Sequence, residues 1–160
     1  MESGTISLGL MLLLGILMVA AAISDVRSRT ISNELNVAMA LLAIPFWIAS
    51  DLAPWPDMPI QFAAAFAVFL VFAGLFAIGA MGGGDVKMIG AVTLWIPLPL
   101  FLPALTVMAV GGGILSAIML IYMKLRPSDK AVEVPYGVAI AAAGLWALHQ
   151  HYLNQFQAIG

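Results

Sequence analysis

Apolar runs long enough to cross a bilayer, separated by short polar breaks, fill this chain almost from end to end. A helical span takes about 20 predominantly apolar residues, and residues 6–23 form the first such run. Of the 160 residues, 63% are hydrophobic and 9% charged, and the mean hydropathy is +1.08. No ordinary soluble domain has that composition. Inside lipid every backbone polar group must be satisfied within the protein, which favours helices. The expectation is an all-α polytopic membrane protein, one domain over residues 1–160, with about six transmembrane helices.

The first run is expected to be a retained helix rather than a cleaved signal. Residues 1–5 include Glu2 but no Lys or Arg, and the run exceeds the ~7–15 residues of a signal core. A polar break follows from Ser24 to Glu34, in which Ser32 or Asn33 is a suitable N-cap for a second helix over 35–50. Pro45 is expected to kink that helix. The 51–59 loop, with three prolines and Trp55, reads as an interfacial turn. A third helix is expected over 60–80. Gly82-Gly83-Gly84 then breaks the chain, and a fourth helix begins near Asp85 and stops before Pro97. It is too short to span unaided. A fifth helix over 100–123 carries Gly111-Gly112-Gly113, which permits close helix approach or a local break. A sixth begins near Pro135 and ends near Tyr152.

All six basic residues (Arg27, Arg29, Lys87, Lys124, Arg126 and Lys130) fall in the breaks after the first, third and fifth helices. Basic residues mark the cytoplasmic side. The expected topology has both termini outside and places Asp25 and Asp85 together at the cytoplasmic face. There is no basic stripe of the kind that binds nucleic acid. The absence of cysteine removes disulfides, thiolate metal sites and a cysteine nucleophile.

Carboxylates at the edge of apolar runs are costly and point to function. Two of them can hydrolyse a peptide without a metal: one, ionised, takes a proton from water while the other, protonated, donates to the carbonyl or the leaving amine. A close pair shares one proton. Asp85 is expected at a helix N-terminus, whose dipole favours an anion, and Asp25 at a helix C-terminal end, whose dipole opposes one. Glycines 82–84 can take positive φ and allow an extended peptide to approach the backbone.

These residues resemble the type IV prepilin peptidase family. Gly82-Gly83-Gly84-Asp85 matches the G-x-G-D motif of intramembrane aspartyl proteases, and Val86-Lys87 continues it. The segment Ser24-Asp25-Val26-Arg27, followed by Ile31-Ser32-Asn33, is similar to the family's first aspartate region. Val134-Pro135-Tyr136-Gly137 is similar to its Pro-aromatic-Gly element. The resemblance implies a membrane-embedded aspartic endopeptidase that cuts the basic leader from prepilins or pseudopilins at the cytoplasmic face. It implies Asp25 and Asp85 as catalytic residues, with Gly82, Gly83, Gly84 and Lys87 in the active-site loop, and neither metal nor cofactor. The expected partners are a prepilin-like substrate and the bilayer, with self-association an option and nucleic acid excluded. Larger members carry a cytoplasmic region with paired cysteines and methylate the new N-terminus. This chain lacks cysteine and is expected to lack that activity; it resembles the short Flp/Tad-pilus type in an inner membrane, the favoured reading, or the related archaeal preflagellin peptidases.

Other polar residues have plainer readings. Arg27 and Arg29 are orientation signals and lipid-phosphate contacts. Lys87 snorkels or binds substrate. His149 and His151 are surface residues at the outer end of the sixth helix, and Glu34 is a first-turn residue. Asp51 and Asp57 belong to the outer loop. The rival functions are a proton- or ion-coupled transporter, whose carboxylates should lie at the midplane, and a non-catalytic assembly subunit.

Overall fold

The computed structural model describes residues 2–125 and 134–157, so Arg126 and Lys130 lie outside the described residues. The described chain is helical throughout: α1 Glu2–Ser28, α2 Asn33–Ala49, α3 Asp57–Ala77, α4 Gly83–Thr93, α5 Phe101–Leu125 and α6 Tyr136–Gln157, with a single 3-10 turn, Leu98–Leu100, before α5. Three described stretches are long and apolar enough to cross a membrane: Gly4–Ser28, Asp57–Ala77 and Leu98–Leu125. Large apolar side chains such as Leu12, Ile16, Leu41, Val71 and Leu102 are each more than 60% exposed, an outward-facing surface that suits lipid. The protein is an all-α membrane protein.

The first helix runs past residue 23 to Ser28, so Asp25 stands inside its last turn rather than in the break beyond it. Its polar end is closed by its own side chains. Ser28 Oγ donates to the Ser24 carbonyl and Ser24 Oγ to the Thr30 carbonyl, both at 2.8 Å. The α2 helix then starts as expected, with the Leu35 N–H donating to Ser32 Oγ at 3.3 Å, and Pro45 lies within it. The first glycine run differs from expectation, whereas the second gives the close helix approach that was expected rather than a break. Gly83 and Gly84 open α4 and only Gly82 lies outside it. Gly111–Gly113 sit within the unbroken α5.

At 11 residues α4 is the shortest of the six helices, yet it packs against α2, α3 and α6. Val86, Met88, Ile89, Ala91 and Val92 are buried from it. Its last carbonyls, like those of any helix, have no intrahelical donor. Gln61 of α3 supplies the donor: its buried Nε2 lies 3.2 Å from the Thr93 carbonyl, 3.3 Å from that of Leu94 and 2.7 Å from that of Ile96. Trp47 Nε1 also donates to the Leu94 carbonyl, at 2.8 Å, and Trp95 Nε1 donates to the Met39 carbonyl at 2.8 Å. A residue with a side chain could not occupy Gly144 of α6 without displacement. A Cβ there would lie 2.6 Å from Met18 Sδ of α1 and 2.9 Å from Val92 Cγ1 of α4. These contacts fix the C-terminal end of α4 against α2, α3 and α6.

Candidate active site

Asp25 and Asp85 come from different helices and meet at one cavity. Both are buried, 6% and 9% exposed, and both line a cavity of about 430 Å³ bounded by Arg29, residues 79–82, Val134 and Tyr136. Asp85 is the third residue of α4. A Cβ on Gly82, the N-cap, would come within 3.0 Å of Asp85 Oδ2. The glycine therefore keeps the approach to this carboxylate clear.

Asp25 is held by the opposite end of the chain. The Gly137 N–H, in the first turn of α6, donates to Asp25 Oδ2 at 2.8 Å. Each aspartate thus stands at a helix N-terminus, where unpaired amides and the dipole favour negative charge. The sequence placed only Asp85 there, because the N-terminus of α6 reaches Asp25 through tertiary packing alone. The fit is close: a Cβ on Gly137 would lie 2.8 Å from Asp25 Oδ2, 3.0 Å from Asp25 Cβ and 3.0 Å from Ile31 Cδ1.

Tyr136, which lines the cavity, is seated by α5. Its ring lies where a Cβ on Gly112 would be, 2.8 Å from Cε1, and its hydroxyl is 3.3 Å from Ser116 Oγ. The 111–113 glycines therefore act as a slot, with Gly111 facing Ala139 and Gly113 facing open space.

The glycines before Asp85 divide by role. Gly82 lines the cavity, in extended conformation with φ −72° and ψ 144°. Positions 83 and 84 are packing positions: a Cβ would lie 3.2 Å from the Phe76 ring at Gly83 and 3.3 Å from Ile31 Cβ at Gly84. Among the described glycines positive φ occurs at Gly79 (+75°), three residues before the run, and that residue also lines the cavity.

Lys87 is two residues from Asp85, about 200° around the helix, and points elsewhere. Its exposed Nζ donates to Asn33 Oδ1 at 2.8 Å. With Asn36, Phe62, Phe66 and Phe69 it borders an apolar groove of about 400 Å³ between α2 and α3, floored by α4. His151 and Asp57 border a third cavity beside Trp47 and Trp95, and His149 borders a groove with Leu8 and Leu148. No cluster of three or more His, Cys, Asp or Glu side chains that could hold a metal occurs among the described residues.

Two residues of the site escaped the sequence. Arg29 reads only as a positive charge, and Gly112 only as part of a packing run. The Val134–Gly137 element was visible only through the family resemblance.

Residues 12–121 match the model of the type IV leader peptidase family, and this chain belongs to that family. A prepilin leader peptidase/N-methyltransferase from Xanthomonas campestris pv. campestris is 27% identical over 139 residues, which cover 83% of this chain and 47% of the relative. The chain thus spans about half the length of the curated relative it matches. No solved structure matches it.

Proposed function

We propose that the chain is a membrane-embedded aspartic endopeptidase that removes the cytoplasmic leader from prepilin-like precursors. The observation that carries this is the burial of Asp25 and Asp85, on separate helices, at one shared cavity. With one proton on the pair, the ionised carboxylate takes a proton from water as the water oxygen bonds to the peptide carbonyl carbon. The carbonyl π pair moves onto oxygen. As that pair returns, the C–N bond breaks and the protonated carboxylate gives its proton to the departing nitrogen. The pair ends the cycle with one proton, as it began. Substrate reaches the aspartates along the 79–82 backbone, which can pair with an extended peptide.

Both aspartates lie at helix ends: the last turn of α1 and the first turn of α4. That position favours a peptidase working at a membrane face over a transporter, which needs carboxylates along a path to both sides. The distribution of basic residues supports a cytoplasmic position for this end. A basic leader would be drawn to the paired carboxylates. These 160 residues contain no cysteine, which supports a Flp/Tad-type peptidase without methyltransferase activity.

The test is co-expression with a Flp-type prepilin, read as a gel shift, with the new N-terminus examined by mass spectrometry. Leader removal with an unmethylated N-terminus supports the assignment. An uncut precursor together with proton flux into reconstituted vesicles would replace it with a transporter.

A further inference from the structure

The short helix α4 carries different chemistry on its two sides. Asp85 lines the cavity it shares with Asp25. Lys87, Gly90 and Ala91 line the groove between α2 and α3 on the other side. That groove exists because α2 and α3 each pack on α4 but not closely on one another. Asn36 of α2 ties the two sides together: its Nδ2 donates to the carbonyl of Gly84, the residue before Asp85, at 3.4 Å.

The groove has a polar mouth and an apolar length. At the mouth Lys87 is exposed, and no carboxylate lines the groove beside it. An ammonium has three donors, and one of them goes to Asn33 Oδ1. Further in, one wall is a row of phenyl rings, Phe62, Phe66 and Phe69, with neighbouring centroids 6.2 and 6.3 Å apart. Phe62 and Phe66 are 57% and 50% exposed. Opposite them the surface is low, made of Ala40, Gly90 and Ala91. A Cβ at Gly90 would press on the Phe69 ring at 3.0 Å. Lipid tails are as apolar as leucine, so helices associate in a bilayer through close backbone approach, which alanine and glycine permit. A flexible acyl chain needs no such floor.

The peptidase reading supplies a helix. A bond cut at the membrane face leaves the leader in water, while the chain beyond the bond enters the apolar layer. There its backbone must be helical. That helix has to start beside the aspartates. Lys87 is two residues along α4 from Asp85, a rise of about 3 Å and about 200° around the axis. The path from cavity to groove therefore crosses only the width of α4, about 10 Å, which about three extended residues span. The groove between α1 and α6 comes no nearer than Val19, more than a helical turn from Asp25.

We propose that the α2–α3 groove seats the apolar helix of the precursor that follows the cut bond, with Lys87 meeting an acidic side chain near the start of that helix. This rests on the peptidase reading and deepens it, since the groove selects substrates anchored in the bilayer. A carboxylate at the edge of an apolar segment is costly unless paired, and Lys87 supplies the partner.

The test uses a Flp-type prepilin precursor in lipid vesicles. A photo-crosslinking benzoylphenylalanine replaces Phe66, in the groove, or Val71, on the outward surface of α3, in protein carrying Asp85→Asn so that the precursor is not consumed. Crosslinks from position 66 to the precursor's apolar segment, and none from position 71, are expected. Ala40→Phe, which fills the groove, should raise KM about tenfold with kcat kept, the mark of lost ground-state binding. Lys87→Glu should also raise KM, and replacing the precursor's acidic residue by lysine should reverse that rise. Crosslinks from position 66 to lipid or to a second copy alone, or an unchanged KM in Ala40→Phe, would overturn the groove while cleavage by the wild type leaves the peptidase standing. A Lys87→Glu loss that the exchanged charge does not restore would overturn the pairing. A precursor that the wild type fails to cut would overturn the peptidase reading and the groove with it.

Discussion

The Gly137 N–H donates to Asp25 Oδ2 at 2.8 Å, across 112 residues of chain. This bond joins the last helix to the end of the first and aims one candidate carboxylate. It also explains why position 137 is glycine, since a Cβ there would press on the carboxylate it holds. Gly137→Ala should push Asp25 out of position. A misplacement of about 1 Å can cost roughly 10²-fold in rate, so cleavage should fall by that order while the protein still inserts and purifies. Undiminished cleavage would show that the bond does not position the site.

Tyr136 depends on the slot in α5. A Cβ at Gly112 would lie 2.8 Å from its ring, whereas one at Gly113 would meet nothing within 4 Å. Gly112→Ala should therefore destabilise by about 1–3 kcal/mol through overpacking and lower cleavage with it. Gly113→Ala should be neutral or gain up to about 1 kcal/mol of helix propensity. Thermal unfolding in detergent, paired with a cleavage assay, distinguishes the two. Equal behaviour would remove the slot from the account.

The end of α4 should be sensitive to Gln61. Gln61→Leu leaves the carbonyls of Thr93 and Ile96 without its amide, inside a bundle that offers little water. A loss of about 1–3 kcal/mol is expected, visible as a lower Tm in detergent. Protein that remains folded should keep its cleavage rate, because Gln61 lies at the end of α4 opposite Asp85. An unchanged Tm would mean that water or another donor replaces the amide.

Rate should pass through a maximum with pH. The pair works with one shared proton, so both the fully protonated and the fully ionised pair are inactive. The two limbs belong to the pair rather than to either residue. Initial cleavage rates across the pH range check this, and a flat profile would argue against paired acid–base work.

Much of the fold was legible because membrane insertion constrains sequence so strongly. The apolar runs marked the helices, Ser32 marked the start of α2, and the distance from the glycines to Pro97 marked α4 as short. What ends α4 was not legible: Gln61 looked like a stray polar residue in an apolar run, and its partners are 32 to 35 residues away. The aspartates were legible because carboxylates stand out in an apolar chain. Gly82, Gly83 and Gly84 looked alike because only tertiary neighbours, Phe76 and Ile31, separate packing glycines from the one lining the cavity. Lys87 looked like part of the loop because adjacency in sequence hides the turn of α4, which sends it towards Asn33. Arg29 was hidden for the opposite reason, since a charge count cannot tell a solvated arginine from an enclosed one.

The central claim is that Asp25 and Asp85 together cut a precursor's leader. Its most direct test runs wild type, Asp25→Asn and Asp85→Asn side by side with a co-expressed Flp-type prepilin, each variant confirmed in the membrane at wild-type abundance. Each substitution keeps the shape of the side chain and removes the proton-transferring carboxylate. Leader removal by the wild type alone is the predicted result; removal that survives either substitution would contradict the two-aspartate mechanism.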